Sequence, residues 1–161
     1  MQGQGEEGVA QVRQGIAAWR ATGASLYVPY FCTLQADVSA HLGHTEDGLQ
    51  ALDEAHTLIE QHKERWLEAE IYRLRGVLLL QRPGIQSEEA EACFQQALDI
   101  ARHQQAKSLE LRAAMSLSRR WQQQGKQAEA RELLAPIYGW FTEGFDTADL
   151  QEAKALLETL A

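Results

Sequence analysis

Residues Ala90 to Ala106 read AEACFQQALDIARHQQA, and the rest of the chain is organised around this stretch. Its apolar residues lie at steps of four, three, one and two: Ala90, Phe94, Ala97, Leu98 and Ile100. This spacing places small and large apolar groups on one stripe of an α-helix. Together with the turn before it, the stretch has the pattern of the second helix of a helical hairpin. We therefore expect the same pattern to recur along the chain.

The apolar pattern does recur, in four segments. The segments open on a small residue, and successive starts are 40, 42 and 40 residues apart: Gly8, Gly48, Ala90 and Ala130. A large apolar residue follows four positions after each start: Val12, Leu52, Phe94 and Leu134. Three positions further on stand Gly15, Ala55, Ala97 and Ile137. A near-constant period indicates an array of similar helical units, each packed on the next.

Three further helical patterns lie between these segments, at residues 26–42, 66–81 and 108–124. Gly43 and Gly125 follow the first and the third, and glycine just past a helix supplies the left-handed residue that ends it. Thr45 and Ser87 are predicted as N-caps of the next helices, with acidic residues in the first turn. Pro136 interrupts the last of the four segments, which predicts either a kinked helix or two shorter helices.

Composition indicates a helical protein and disfavours several classes of partner. Of the 161 residues, 45% are hydrophobic and only 3 are proline. The net charge is −8, from 15 basic and 23 acidic residues, whereas binding to phosphates requires a concentrated basic face. The longest aliphatic run, at residues 77–80, is far below the roughly 20 residues that span a membrane. We expect a cytoplasmic protein that binds neither nucleic acid nor membrane.

These patterns predict one all-α domain over residues 1–161, with about eight antiparallel helices in an α-α superhelix. Residues 1–24 form the second helix of a truncated repeat in this interpretation, because no first helix precedes Gly8. Three helical hairpins follow, at residues 25–64, 65–106 and 107–145. A closing helix at residues 146–161 covers the end with a polar face, which includes Gln151, Glu152, Lys154 and Glu158. The incomplete first repeat favours a fragment of a longer polypeptide.

The residues that carry the pattern resemble the tetratricopeptide repeat (TPR). The motif Ala90-x3-Phe94-x2-Ala97 is close to the consensus of its second helix, and Gly76 and Gly125 stand at the positions of its small and turn residues. The period of about 40 exceeds the 34 residues of the standard repeat. It is similar to longer repeats found C-terminal to nucleotide-binding ATPase modules in bacterial signalling proteins. Those proteins include ones with nucleotide-cyclase domains or helix-turn-helix regions.

No motif in the sequence indicates catalysis, a metal ion or a cofactor. No two of the five histidines have the spacing of a helical zinc site, and no glycine-rich loop precedes a suitable lysine. Cys32 and Cys93 each lie in an apolar helical stripe, which favours reduced, structural thiols. Trp140, Phe141 and Phe145 are expected to pack the last hairpin against the closing helix. We predict that the protein is not an enzyme and has no cofactor.

The remaining candidate site is a groove along the first helices of the hairpins, which line the concave face of TPR arrays. Carried over position by position, the resemblance assigns eleven residues to this groove: Tyr30, Thr33, Asp37, His41, Glu70, Arg73, Val77, Arg112, Met115, Arg119 and Gln122. Residues 101–131 carry seven basic and two acidic side chains. This bias favours either an acidic peptide or carboxylate in the groove, or a solvated face balanced by acids on neighbouring helices.

Three functions remain open at this point. The first is a non-catalytic protein–protein interaction scaffold, the regulatory or sensor region of a larger bacterial signalling protein of the ATPase or cyclase type, which also contacts other domains of the same polypeptide. The second is a small-molecule-sensing pocket inside the superhelix, suggested by Trp66, Tyr72 and Arg73. The third is a self-association module, in which the open end of the truncated repeat forms a homo-oligomer.

Overall fold

The computed structural model describes residues 2–23, 26–82, 84 and 87–161, and within these residues all regular structure is helical. Eight helices follow one another along the chain: α1 (Gln2–Ala21), α2 (Val28–Leu42), α3 (Thr45–His62), α4 (Glu68–Gln81), α5 (Ser87–His103), α6 (Lys107–Gln123), α7 (Gln127–Tyr138) and α8 (Ala148–Thr159). The all-α class and the number of helices agree with the sequence interpretation.

In the described residues, contacts between helices that are not consecutive involve only the even-numbered helices. Each helix packs on the next along the chain, and in addition α2 contacts α4, α4 contacts α6 and α6 contacts α8. In the described part of the chain, the odd-numbered helices α1, α3, α5 and α7 make no such contacts with one another. The even-numbered helices therefore lie side by side in one layer. The candidate site described below lies on this layer.

The apolar stripe of the repeated segments forms the core. In the last three segments, the large residues Leu52, Phe94 and Leu134 are buried, as are the small residues that open the segments. The first segment departs from this pattern, since Gly15 is exposed on α1. Two core clusters result, one among α1 to α4 and one among α4 to α8, and Val77 packs against both.

Left-handed residues follow several of the described helices, and two of them are the predicted glycines. Gly43 and Gly125 have φ of 75° and 80°, and the N–H of the next residue donates to a carbonyl five positions back in each case. Lys63 and Gln105 adopt the same conformation after α3 and α5, with φ of 60° and 55°. The sequence gives no signal for these two, because neither residue type favours a positive φ.

Several local predictions need correction. His44, not Thr45, stands at the N-cap of α3, and the Thr45 hydroxyl instead donates to Gln81 on α4 at 3.3 Å. The predicted cap at the Ser87 side chain lies outside the described residues. One helix, α7, runs through Pro136 and ends two residues later, so two separate helices are excluded. The proline lies in the last turn, where its missing N–H removes only one hydrogen bond.

The loop after α7 also differs from the prediction. Trp140 and Phe145 were expected to pack between the last hairpin and the closing helix, yet their side chains are 58% and 48% exposed. Phe141, the third residue of this prediction, packs against the core. Lys107 lies 5.6 Å above the Trp140 ring, so that this tryptophan is held at the surface by a cation–π contact.

Gly76 allows α4 and α5 to approach closely, and replacing it by alanine is expected to lower the free energy of unfolding by about 1–2 kcal/mol. A Cβ at this position would lie 2.5 Å from Phe94 Cε1 and 3.0 Å from the Ala90 carbonyl oxygen. This clash outweighs the roughly 1 kcal/mol that alanine gains over glycine in a helix. Urea unfolding measures the difference.

Gly15→Ala is the matched control for this substitution. A Cβ on Gly15 would meet nothing within 4 Å, and the residue is also helical. We expect this variant to be as stable as the original protein or more stable by up to about 1 kcal/mol. Equal effects at the two glycines would contradict the close approach of α4 and α5.

Candidate functional site

A cavity of about 520 Å³ lies on the layer of even-numbered helices, and we call it the central cavity. The residues that line it from α2, α4 and α6 recur at steps of three and four, so that each helix turns one stripe toward the same space. The principal lining side chains are Asp37, His41, Glu70, Arg73, Val77, Leu80, Gln81, Phe94, Arg112, Met115, Ser116, Arg119, Arg120, Gln123, Asp149 and Glu152.

Eight of the eleven residues that the sequence assigned to the groove line this cavity, and three do not. Thr33 is buried, and its hydroxyl donates to the Tyr30 carbonyl at 2.7 Å. Gln122 donates to the Thr159 hydroxyl on α8, whereas Gln123 faces the cavity. Tyr30 lies outside the cavity and stacks on Trp66. The assignments of Thr33 and Gln122 to the groove are therefore corrected.

The floor of the cavity is an ion pair with near-ideal geometry. Arg73 donates to Glu70 through two nitrogens, with Nε–Oε2 at 2.9 Å and Nη2–Oε1 at 2.8 Å. Both residues lie on α4, three positions apart, and their side chains are only 15% and 11% exposed. A bidentate pair of this kind fixes the orientation of both groups.

Charges on three other helices extend this pair. Arg112 on α6 lies 3.5 Å from Glu70 Oε1 and donates to Asp149 on α8 at 2.7 Å. On the other side, Asp37 on α2 lies 3.9 Å from Arg73 Nη2. The result is a row of alternating charges, Asp37, Arg73, Glu70, Arg112 and Asp149, that crosses α2, α4, α6 and α8. We call it the charge row.

The charge row changes the acidity of Glu70. Burial alone would raise the pKa of this carboxyl group, but hydrogen bonds and charges from Arg73 and Arg112 outweigh burial and hold the pKa below its ordinary value. Glu70 is therefore ionised in the folded protein at neutral pH. Its charge in turn raises the pKa of Arg73, so that both members of the pair remain charged.

The charges of the cavity lining balance. Four arginines face four carboxylates, which are Asp37, Glu70, Asp149 and Glu152. Arg119 donates to Glu152 at 2.8 Å, although both side chains remain about half exposed. Within residues 101–131, Arg112 and Arg119 thus pair with acids on neighbouring helices, and Arg102 and Lys107 pair with Glu110. Of the two readings of the basic bias in this segment, the structure favours the balanced face over an unpaired anion-binding strip.

The sequence did not assign Asp149 and Glu152 of α8 to the site. Glu152 faces water as predicted, since its side chain is 59% exposed, and it also contacts Arg119 across the cavity. Both acids flank Leu150, whose burial fixes the rotation of α8. Since only the contact between α6 and α8 brings these acids to the cavity, no local signal in the sequence identifies them.

A second polar cluster lies between α3 and α4. Ligand atoms of His56, Glu60 and Glu68 lie within 4.8 Å of one another, an arrangement that the histidine spacing alone did not indicate. Arg65 donates to Glu60 at 2.6 Å and to Glu68 at 3.2 Å. The guanidinium thus supplies the positive charge that a metal ion would bring, and we assign the cluster to interhelical pairing.

Trp66, Tyr72 and Arg73 suggested a small-molecule pocket in the sequence, but they contact different parts of the protein. Trp66 is 50% exposed and stacks on Tyr30, while Arg73 lies in the charge row. Tyr72 packs against the core cluster of the C-terminal half and meets the His56 ring edge-on. Of these residues, only Arg73 lines the central cavity.

The two cysteines are not joined in a disulfide. Cys32 is buried, and Cys93 on α5 is partly buried. Burial raises the pKa of the Cys93 thiol, and the nearby Arg75 charge does not offset it. A thiol with a raised pKa is a poor nucleophile at neutral pH, as expected for a structural residue.

Comparisons with models of protein families, with curated proteins and with solved structures gave no match. Among the helices of the described residues, none combines the length and the apolar character that crossing a membrane requires. Any assignment of function therefore depends on the geometry of the central cavity and on the pattern of the sequence.

Proposed function

We propose that this chain is a TPR-like α-α superhelix that acts as a non-catalytic scaffold and binds a protein or peptide in the central cavity. The observation that carries the proposal is the cavity itself, because its walls come from consecutive even-numbered helices. Stripes of residues from successive helices give a binding surface that runs across several repeats, as in other helical arrays.

The state of the charged groups supports a binding role over a catalytic one. In the described part of the cavity, Glu70 and Arg73 are tied to each other, and Arg112 and Arg119 contact carboxylates on α8. Groups held in this way orient a partner and set its specificity. The charge bias of residues 101–131 left open an acidic partner or a balanced face, and the pairing of Arg112 and Arg119 with carboxylates supports the balanced face.

The wider setting of the scaffold is also a proposal, and the resemblance of the sequence supports it. Long TPR-like repeats of this kind suggest the regulatory or sensor region of a larger bacterial signalling protein, of the ATPase or cyclase type, in the cytoplasm. In such a setting the array would contact other domains of the same polypeptide as well as a separate partner.

Selection from a random library of displayed 12-residue peptides tests the scaffold proposal. Enriched peptides are expected to bind at least tenfold more weakly to Leu80→Arg, because Leu80 is 41% exposed and lines the central cavity. Gln96→Arg is the control, since it adds the same charge on an exposed position of α5 outside the cavity. Circular dichroism and thermal unfolding confirm that both variants fold.

Two outcomes would contradict the proposal. One is an enriched set of peptides that bind Leu80→Arg and Gln96→Arg equally well, which would place the binding surface elsewhere. The other is a library from which no peptide is enriched. Arginine variants are less suitable for this experiment, because Arg73 and Arg112 hold helices together and their loss would change stability.

The size of the central cavity favours one alternative, a small-molecule sensor. About 520 Å³ falls within the 300–1,000 Å³ that is typical of small-molecule sites. A thermal-shift screen of metabolites distinguishes this alternative, because a ligand bound at 100 times its Kd stabilises the folded state by about 2.7 kcal/mol. A stabilising metabolite whose effect is lost in Leu80→Arg would favour the sensor.

A further inference from the structure

An exposed aromatic pair lies beside the central cavity. The rings of Tyr30 on α2 and Trp66 just before α4 stack, with centroids 6.2 Å apart and planes inclined by 26°. Tyr30 is 39% exposed and Trp66 is 50% exposed. Leu34, one turn after Tyr30 on the same helix, is 38% exposed. We call these three residues the aromatic shelf.

The shelf and the cavity belong to one face of the protein. Tyr30, Leu34, Asp37 and His41 follow one another on α2 at steps of four, three and four, so they share one stripe of the helix. Asp37 and His41 line the central cavity. Trp66 likewise stands four positions before Glu70. The apolar shelf therefore continues the charged cavity along the same direction.

Among the charged groups next to the shelf, Asp37 is the one most available to form an ion pair with a partner. Its carboxylate is 47% exposed and lies 3.9 Å from Arg73, beyond hydrogen-bond distance. Glu70, in contrast, already accepts two hydrogen bonds from Arg73. A positive group that approaches Asp37 meets an exposed carboxylate in a chain of net charge −8, whereas a negative group at the same place meets Arg73, which is already paired with Glu70.

The geometry points to a peptide that places a large apolar side chain on the aromatic shelf and a lysine or arginine at Asp37. This inference rests on the proposed scaffold function and specifies the chemistry of its partner. Tyr30 and Asp37 are seven positions apart on α2, which is about 10 Å along the helix axis. An extended peptide covers that length in about three residues, so the apolar and basic residues are three positions apart.

The two contacts of such a complex contribute differently to binding: the aromatic shelf supplies affinity, and Asp37 supplies selectivity for charge. Aromatic rings offer large apolar area with little conformational freedom to lose, and anchors of this kind supply most of the affinity at peptide-binding surfaces. The contact with Asp37 sets the sign of the charge that the partner carries and adds a dependence on salt.

Peptides selected from the random 12-residue library test this inference through their composition and their response to two variants. We expect them to be enriched in a large apolar residue with lysine or arginine three positions away. Binding to Trp66→Ala is expected to weaken about tenfold or more. Trp140→Ala is the control, because Trp140 is similarly exposed but lies in the loop after α7.

Asp37→Asn tests the basic residue separately. The affinity of this variant for the selected peptides is expected to fall about threefold to tenfold, and its binding is expected to depend less on salt. Asp99→Asn, on the exposed face of α5, is the control and leaves the affinity and the salt dependence unchanged. Enriched peptides that are acidic, or that bind Trp66→Ala and Trp140→Ala equally, would overturn the inference.

The outcomes also separate this inference from the function on which it rests. Peptides that lose affinity for Leu80→Arg but not for Trp66→Ala would leave the scaffold proposal standing and refute the aromatic shelf. A library that yields no enriched peptide would refute both.

Discussion

Replacing Phe94 by alanine is expected to lower the free energy of unfolding by about 3–5 kcal/mol, the range for truncating a buried phenylalanine. Phe94 is 1% exposed, and its ring lies against Gly76 of the neighbouring helix. Because that glycine has no side chain to move into the space, the cavity left by the ring would remain largely open. Urea unfolding followed by circular dichroism measures the loss.

Phe145→Ala provides the matched control for Phe94→Ala, because it is the same substitution at a side chain that is 48% exposed. We expect a loss below about 1 kcal/mol there, since little apolar surface leaves the interior. Losses of similar size at both positions would show that Phe94 does not occupy the interface between α4 and α5.

The contact between Phe94 and Gly76 also predicts that substitutions at the two positions have non-additive effects on stability. Gly76→Ala destabilises the original protein because the new methyl group clashes with the Phe94 ring. In the Phe94→Ala background the contact with the ring is gone and only the 3.0 Å approach to the Ala90 carbonyl oxygen remains, so the same substitution is expected to cost less than it does in the original protein. Additive effects of the two substitutions would contradict direct contact.

Replacing Glu70 by glutamine is expected to have the second large effect on stability, lowering the free energy of unfolding by about 2–3 kcal/mol at pH 7. Breaking a buried ion pair leaves an uncompensated charge, which costs about 3–5 kcal/mol when both partners are fully buried. The lower figure applies here because the partner Arg112 is 42% exposed. Arg73, at 15% exposure, loses its charged partner on α4.

Glu152→Gln is the control for the charge row. Glu152 also lines the central cavity and contacts an arginine, but its side chain is 59% exposed. Exposed ion pairs contribute about 0–1 kcal/mol, so we expect almost no change in stability. A loss at Glu70 no greater than at Glu152 would contradict the role of the charge row in holding α4 and α6 together.

The pH dependence gives an independent test of Glu70. Its pKa is lowered in the folded state from the ordinary value of 4.5, so the unfolded chain takes up the proton first as the pH falls. The stabilisation is therefore complete above the unfolded pKa and is lost as the pH falls through the folded pKa. The difference between the original protein and Glu70→Gln is expected to shrink below about pH 4.5. A constant difference from pH 7 to pH 3 would show that Glu70 does not titrate in this way.

Much of the fold was predictable because its signals are local. The burial of Leu52, Phe94 and Leu134 follows from the period of the apolar stripe, which a single helix sets by itself. The helix ends at Gly43 and Gly125 follow from the ease with which glycine adopts a positive φ. The hairpin bounds at residues 64 and 106 lie close to the ends of α3 and α5, but the left-handed conformations of Lys63 and Gln105 were missed, because neither residue type favours a positive φ.

The candidate site was predictable only in outline. The resemblance to the repeat, carried over at steps of three and four, assigned Asp37, Glu70 and Arg112 to one surface. The same steps wrongly included Thr33, because a helical stripe does not show where the core ends and the surface begins. They also gave no information on which charges meet across helices.

The sequence by itself determined the helices, their period and the side of each helix that is buried. Those properties depend on residues three or four positions apart, whose contacts exist within a single helix. Only the tertiary structure decided that Arg112 contacts Asp149, 37 positions away, and that Tyr30 stacks on Trp66. Charge pairing and aromatic stacking depend on distances of a few ångströms between separate helices, and the packing of α2, α4, α6 and α8 sets those distances.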